Sequence, residues 1–271
     1  MDNRKVVIVS GASRGIGSAT ALKFAGQGYC VTLVGRNVKD LENTARQIEE
    51  EYKQETLICE GDLAELTFVR SIVDRTIQKW GRIDVAVNNA AWRTVETMRS
   101  ITPETWEQTL KICITAPAFL SKWVAQTMEE REVPGVIVNV SSIMSSRAAG
   151  NSPAYISCKG AIESLTKELA VTYGRSGIRV VAICPGFIDT SLSKDYVNET
   201  GDNLSGVMAD HLNRMTPLSR PGTPEEVANA IYWLSNPEAA FITGCNLLVD
   251  GGFSQNFNDY EIKKLQFPNQ F

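Results

Sequence analysis

Short runs of β-branched and aliphatic residues recur along the chain, each followed by a longer stretch whose apolar positions return every three or four residues. The runs fall at residues 6–9, 30–34, 56–59, 83–87, 136–140, 180–183 and 246–249. Between them lie helical patterns at 16–25, 38–52, 67–80, 103–128, 154–173 and 224–234. Runs that are apolar throughout, rather than alternating, suit strands buried on both faces. Their alternation with helices predicts a parallel sheet covered on both sides. The expectation is a single α/β domain over residues 1–271, a doubly wound parallel sheet of seven strands with helices on both faces.

Two segments break this rhythm. Residues 190–216 separate the sixth run from the next helix and are mostly polar, with Gly201 and Gly206 among them. Residues 254–271 form a tail beyond the last run. Ligands of open α/β sheets bind beyond the carboxyl ends of the strands. A long segment leaving the sixth strand is therefore placed to act as a substrate lid, since loops of this length are usually functional or disordered. An inert surface loop is the alternative.

Charge and composition narrow the field. A formal net charge of -4 and a pI near 5.3 argue against a nucleic-acid surface, which needs a clustered basic excess. No stretch reaches the roughly 18 uninterrupted apolar residues of a membrane span. The start of the chain enters its first strand without a signal peptide's apolar stretch. The six cysteines are scattered without a Cys-x-x-Cys pair, and most sit in apolar runs. That usage suits a reducing compartment, gives no metal site and makes a cytoplasmic location the default.

Directly after the first run comes Ser10-Gly11-Ala12-Ser13-Arg14-Gly15-Ile16-Gly17, and then a helix. Gly11 permits a sharp exit from the strand, Gly15 lets backbone approach a pyrophosphate, and Gly17 lets helix and sheet pack closely. The helix start offers N–H groups and partial positive charge to the phosphates. Gly11, Ser13, Arg14, Gly15, Ile16 and Gly17 are thus candidate contacts of a dinucleotide. At the end of the second run, Gly35-Arg36-Asn37 carries no carboxylate for a ribose 2′-hydroxyl. Arg36 can hold a 2′-phosphate by paired charge-assisted hydrogen bonds, with Arg14 approaching from the other side. The pair favours NADP over NAD, although Asp40 lies nearby.

Tyr155 and Lys159 stand four residues apart at the start of a strong helical pattern, so both occupy one face. A phenol is too weak an acid to exchange protons freely at neutral pH. A neighbouring ammonium favours the phenolate, which brings proton transfer within reach. Thirteen residues upstream of Tyr155, the run 136–140 ends in Ser141-Ser142. A hydroxyl there can bond a substrate carbonyl or simply cap the next segment.

Taken together, the chain resembles the short-chain dehydrogenase/reductase family from about Lys5 to Gly252. The motifs that carry the resemblance are residues 10–17, Asp62-Leu63, Asn88-Asn89-Ala90-Ala91, residues 139–142, residues 155–159, Pro185-Gly186 and Asp250-Gly251-Gly252. The resemblance implies a Rossmann-type fold and hydride transfer between a nicotinamide and a ketone or secondary alcohol. It implies that Tyr155 is the general acid/base, that Lys159 assists it and holds the nicotinamide ribose, and that Ser142 polarises the carbonyl. Asp62 and Leu63 would border the adenine, with Arg36 and Asn37 near its ribose. Asn89 and Ala90 would line the path to the nicotinamide, and Pro185, Gly186, Ile188 and Thr190 its carboxamide end. The family also implies a homodimer or homotetramer, paired through the apolar faces of helices 103–128 and 154–173.

Three positions depart from the family pattern. Ser10 replaces the usual Thr and keeps the hydroxyl. Ala91 replaces a Gly and is followed by Trp92. Cys113, seven residues after Trp106, stands where many members carry an Asn thought to hold a proton-relay water. Cysteine is a poor hydrogen-bonding substitute, so slower proton exchange is expected. Helix packing is the preferred reading of Cys113 over a reactive role. Trp92, Met144, Phe187, Met208 and Met215 are candidates for an apolar pocket wall or for ordinary core. His211 is the sole histidine, so a Ser-His-Asp hydrolase would rest on it, and substrate contact or exposure is preferred. The leading function is an NADPH-dependent carbonyl reductase or alcohol dehydrogenase. The alternative is a catalytically impaired NADP(H)-binding sensor or scaffold, supported by Cys113 alone.

Overall fold

The computed structural model describes residues 4–191, 196–198 and 200–271. Seven strands form one sheet: β1 (Val6–Ser10), β2 (Cys30–Gly35), β3 (Thr56–Glu60), β4 (Val85–Asn88), β5 (Val136–Val140), β6 (Arg179–Pro185) and β7 (Asn246–Val249). Their order is β3-β2-β1-β4-β5-β6-β7, and every neighbouring pair is parallel. The winding reverses between β1 and β4, which opens a crevice beyond their carboxyl ends.

Period-two alternation explains why the apolar runs are unbroken. On β1, Val7 and Val9 face one core while Ile8 faces the other. The first core is closed by α1 (Gly15–Ala25), α2 (Val38–Tyr52) and α8 (Pro224–Ser235), through Phe24, Leu41, Ile48 and Ile231. The second is closed by α3 (Leu66–Trp80), α5 (Ala116–Glu130) and α6 (Pro153–Tyr173), through Ile72, Leu120, Val124 and Ala170. The two edge strands are the exceptions to full burial: Thr56, Leu57 and Ile58 of β3 are half-buried and Glu60 is exposed, as is Leu248 of β7. No helix among the described residues is long and apolar enough to cross a membrane.

The structure departs from the sequence expectation in three places. The pattern at 103–128 is not one regular helix but α4 (Pro103–Leu110), a π-helical turn over Lys111–Thr115, and α5. Pro117 has no N–H to close an α-helical bond onto the Cys113 carbonyl, and such turns often mark functional sites. Residues 190–216 contain α7 (Ser205–Met215), and the tail contains α9 (Tyr260–Gln266), neither anticipated. Residues 192–195 and 199 of the expected lid lie outside the described residues, as does the N-terminal 1–3.

Candidate active site

The turn leaving β1 is braced from β4. Ser10 Oγ accepts the N–H groups of Asn89 and Ala90 at 2.9 and 3.1 Å. Asn89 Nδ2 donates to the carbonyls of Ser10 and Gly11 at 2.9 and 3.3 Å. Gly11 has φ +69 and Gly15 has φ +58, where a side chain is strained. A Cβ on Gly17 would stand 2.0 Å from the Gly11 carbonyl oxygen, so only glycine permits this helix-to-turn approach. The helix α1 opens at Gly15 with Arg14 extended in the cap position. It has no side-chain cap and no acidic residue in its first turn. Its leading N–H groups are therefore left for an anion beside Ser13 and Ile16.

Arg14 and Arg36 are both exposed, both line the crevice, and neither belongs to an ion pair among the described residues. The Arg36 guanidinium carbon lies 5.0 Å from the Trp92 ring centroid. Asn37 caps α2, its Oδ1 accepting the Asp40 N–H at 3.3 Å. Asp62 Oδ1 accepts the Ala64 N–H at 2.9 Å, and Leu63 is buried beside it. Across the crevice, the Gly186 N–H donates to the Val249 carbonyl at 3.0 Å, following Pro185 at the end of β6. Ile188 bridges to Gly222, and Thr190 packs against Gly15.

Tyr155 and Lys159 share the buried face of α6, and the Lys159 Nζ lies 5.3 Å from the Tyr155 ring centroid. Lys159 is 3% exposed and its ammonium donates to the Val140 carbonyl at 2.6 Å. No carboxylate among the described residues pairs with it, and both residues line one cavity. The two serines that end β5 divide the work expected of them. Ser142 Oγ accepts the Met144 N–H at 3.1 Å, capping a short 3₁₀ turn while facing the cavity. That bond uses an acceptor lone pair and leaves the Ser142 hydroxyl proton to donate. Ser141 Oγ bonds Glu163 Oε1 at 2.9 Å.

Glu163, one turn beyond Lys159, was not anticipated. It also accepts Asn246 Nδ2 at 2.9 Å and the Cys184 thiol at 3.3 Å. One carboxylate thus ties α6 to β5, β6 and β7 directly behind the Tyr155–Lys159 face.

Cys113 lies in the π-helical turn that joins α4 to α5. Its side chain accepts the Trp92 N–H at 3.2 Å and donates to the Trp92 carbonyl at 3.4 Å. It is buried in a small core with Ile112, Tyr155 and Cys158, as the packing reading held. Burial pushes the thiol above its ordinary value, so it stays neutral.

The crevice is one cavity of about 810 Å³. It brings together Gly11, Ser13, Arg14, Gly15, Ile16, Arg36, Asn37, Asp62, Leu63, Asn89, Ala90, Ser142, Tyr155, Lys159, Pro185, Gly186, Ile188 and Thr190. Gly17 does not line it and acts from beneath, through the close approach to Gly11. Met144, Phe187, Met208 and His211 line the wall; Trp92 and Met215 do not. Sequence reasoning missed Arg93, Arg147 and Tyr196, which line it too.

A parallel sheet of this order with a glycine turn at its switch point defines a doubly wound, Rossmann-type fold. The family model described as enoyl-(acyl carrier protein) reductase matches residues 11–254. A short chain dehydrogenase/reductase of Aspergillus oryzae is 34% identical over 92% of this chain and 95% of its own. The structure of L-sorbose reductase from Gluconobacter frateurii, complexed with NADPH and L-sorbose, superposes with a TM-score of 0.86 at 30% identity. It covers 92% of this chain and 96% of that one. An actinorhodin polyketide ketoreductase variant with NADPH gives a TM-score of 0.87 at 26% identity, covering 94% and 98%. The chain belongs to the short-chain dehydrogenase/reductase family, oxidoreductases that use a nicotinamide cofactor and act on small molecules.

Proposed function

We propose that this protein is an NADPH-dependent reductase of ketones, or the corresponding secondary-alcohol dehydrogenase, with Tyr155 as general acid/base. The observation that carries the reading is the pairing of Tyr155 with a buried, carboxylate-free Lys159 in the same cavity as the glycine turn. The residues present fit a dinucleotide. The Gly11–Gly17 approach, which any Cβ on Gly17 would break, sets the glycine turn at the cavity, and the uncapped start of α1 suits a pyrophosphate. Arg14 and Arg36 suit a 2′-phosphate, reinforced by the N-terminus of α2. That the L-sorbose reductase and the polyketide ketoreductase carry NADPH supports the same preference.

When bound, the reduced nicotinamide supplies the hydride. The protein's own groups handle charge and protons. Ser142 donates a hydrogen bond to the carbonyl oxygen and orients it. Tyr155 gives its hydroxyl proton to that oxygen as the alcohol forms. Lys159 stabilises the phenolate left behind, since opposite charges attract strongly in a buried site. Asp62 and Leu63 border the adenine, Asn89 and Ala90 the central path, and Pro185, Gly186, Ile188 and Thr190 the carboxamide. Residues 190–216 serve as the lid, with Tyr196, Met208 and His211 on the cavity wall. The apolar faces of α5 and α6, with Val171 exposed, serve a homo-oligomer. The sensor alternative rests on Cys113, while Ser142, Tyr155 and Lys159 lining one cavity support the enzyme over it.

The test is turnover. Purified protein offered a panel of ketones, quinones and ketoacyl thioesters oxidises NADPH with at least one class, and NADH more slowly. Tight NADPH binding with no oxidation across the panel contradicts the reductase and favours the sensor.

A further inference from the structure

The carbonyl chemistry does not say what else the substrate carries, but the cavity wall beside Tyr155 does. Arg93 follows the Asn89-Ala90 turn, and Arg147 lies five residues beyond Ser142. Their two loops are joined by backbone and side chain. The Glu96 N–H donates to the Asn151 carbonyl at 2.9 Å, and Ser152 Oγ donates to the Thr94 carbonyl at 3.0 Å. Both arginines therefore flank the start of α6, where Tyr155 stands. The carboxylates among the described cavity residues are Asp40 and Asp62, both at the opposite, glycine-turn end near β2 and β3. The protein as a whole carries a net charge of -4, and Arg147 sets a positive group against that balance on this wall.

Arg147 is held in place without being neutralised. One Nη2 N–H donates to the Ser254 carbonyl, and the guanidinium carbon lies 6.0 Å from the Phe253 ring centroid. It forms no ion pair with a carboxylate among the described residues. A guanidinium offers five N–H donors in a planar fork, and anchoring one edge pre-organises the rest for a bidentate acceptor. The Arg93 guanidinium stacks at 5.4 Å on the Tyr196 ring, and both residues line the same cavity. Met144, Phe187 and Met208 supply apolar wall in the same cavity.

We propose that the substrate is an anionic carbonyl compound, a keto acid with an apolar body, whose carboxylate is received by Arg147. This rests on the reductase reading above. In the reaction the carbonyl carbon takes a hydride from the reduced nicotinamide and the carbonyl oxygen a proton from Tyr155. The products are a hydroxy acid and the oxidised cofactor, with the carboxylate unchanged.

The experiment measures affinity apart from turnover. Levulinate and cyclohexanone-carboxylate, each against its methyl ester, are titrated into the Tyr155→Phe protein loaded with NADPH. At least one acid should bind at least about tenfold tighter than its ester, as one charge-assisted bidentate pair provides. Arg147→Gln should abolish that preference while changing ester and NADPH affinity less than about twofold, and Arg147→Lys should restore part of it. No preference for the acid in either pair, or an equal loss for acid and ester in Arg147→Gln, overturns the substrate class. Failure of the reductase reading shows separately, as a wild-type enzyme that oxidises no NADPH with acids or esters. An enzyme that reduces neutral ketones as well as the acids keeps that reading and loses this one.

Discussion

The Cys113 thiol and the Trp92 peptide hold each other through two hydrogen bonds, the Trp92 N–H donating to Sγ and Sγ donating to the Trp92 carbonyl. The bonds join the π-helical turn between α4 and α5 to the chain leaving β4. That chain carries Asn89 and Ala90 on one side of Trp92 and Arg93 on the other, so the tether sets how the cavity wall follows the glycine turn.

Cys113→Ala leaves a buried peptide N–H and carbonyl without partners. The expected cost is about 1–3 kcal/mol of folding stability, read from urea unfolding. Cys113→Asn, which offers a donor and an acceptor, should recover most of it. Unchanged stability in the alanine variant would show that the tether is incidental.

Arg36 is exposed and lies over Trp92 at the end of β2. Its contact with the fold is the half-buried Trp92 ring, so Arg36→Ala should lower the melting temperature by no more than a few degrees, the loss of one exposed cation–π contact of about 0.5–1 kcal/mol. It should weaken NADPH by about 10–100-fold, the range of one to two lost charge-assisted bonds. NADH should change by less than about twofold. Calorimetric titration of both cofactors checks this, and equal losses would reverse the cofactor preference.

Much of this was legible in the sequence because the signals are local. The seven strands were readable from unbroken apolar runs, since β1 packs Val7 and Val9 into one core and Ile8 into the other. The glycine turn and the Tyr155–Lys159 spacing are contiguous patterns whose geometry a single strand exit or helical turn dictates. The helix α7 was missed although Leu204, Met208, Leu212 and Met215 recur at helical spacing. Its cap position is Leu204, without a capping side chain, and Gly206 lies in its first turn. Arg93, Arg147 and Tyr196 were illegible for a different reason. They meet because separate loops are joined by bonds such as Glu96 to Asn151, and no spacing in the chain encodes that meeting. Glu163 stands between. Its four-residue step from Lys159 was readable, but its three partners come from three strands.

Burial raises the thiols. Cys158 and Cys184 are each pushed up to about 12, chiefly by desolvation, with Cys113 and Glu163 respectively adding to it. The thiolate is the reactive form, so at pH near 8 a disulfide reagent should label at most the half-exposed Cys245 in native protein. All six thiols should react in urea. The linkage has one sign. The folded state favours the protonated thiols, so their stabilising contribution is whole below the ordinary thiol value near 9 and is lost as pH rises toward 12. Urea midpoints measured against pH should therefore fall on the alkaline side. Rapid native labelling of several thiols at neutral pH would contradict the burial.

In the proposed reaction the Tyr155 hydroxyl carries the proton, in a cavity that binds the cofactor independently of it. Single-turnover oxidation of bound NADPH in Tyr155→Phe, alongside a direct NADPH titration of the same variant, measures both halves. The expected result is a rate lowered by about 10²–10⁴-fold with NADPH affinity within a few fold of wild type. A phenylalanine variant that oxidises NADPH at the wild-type rate would contradict the account.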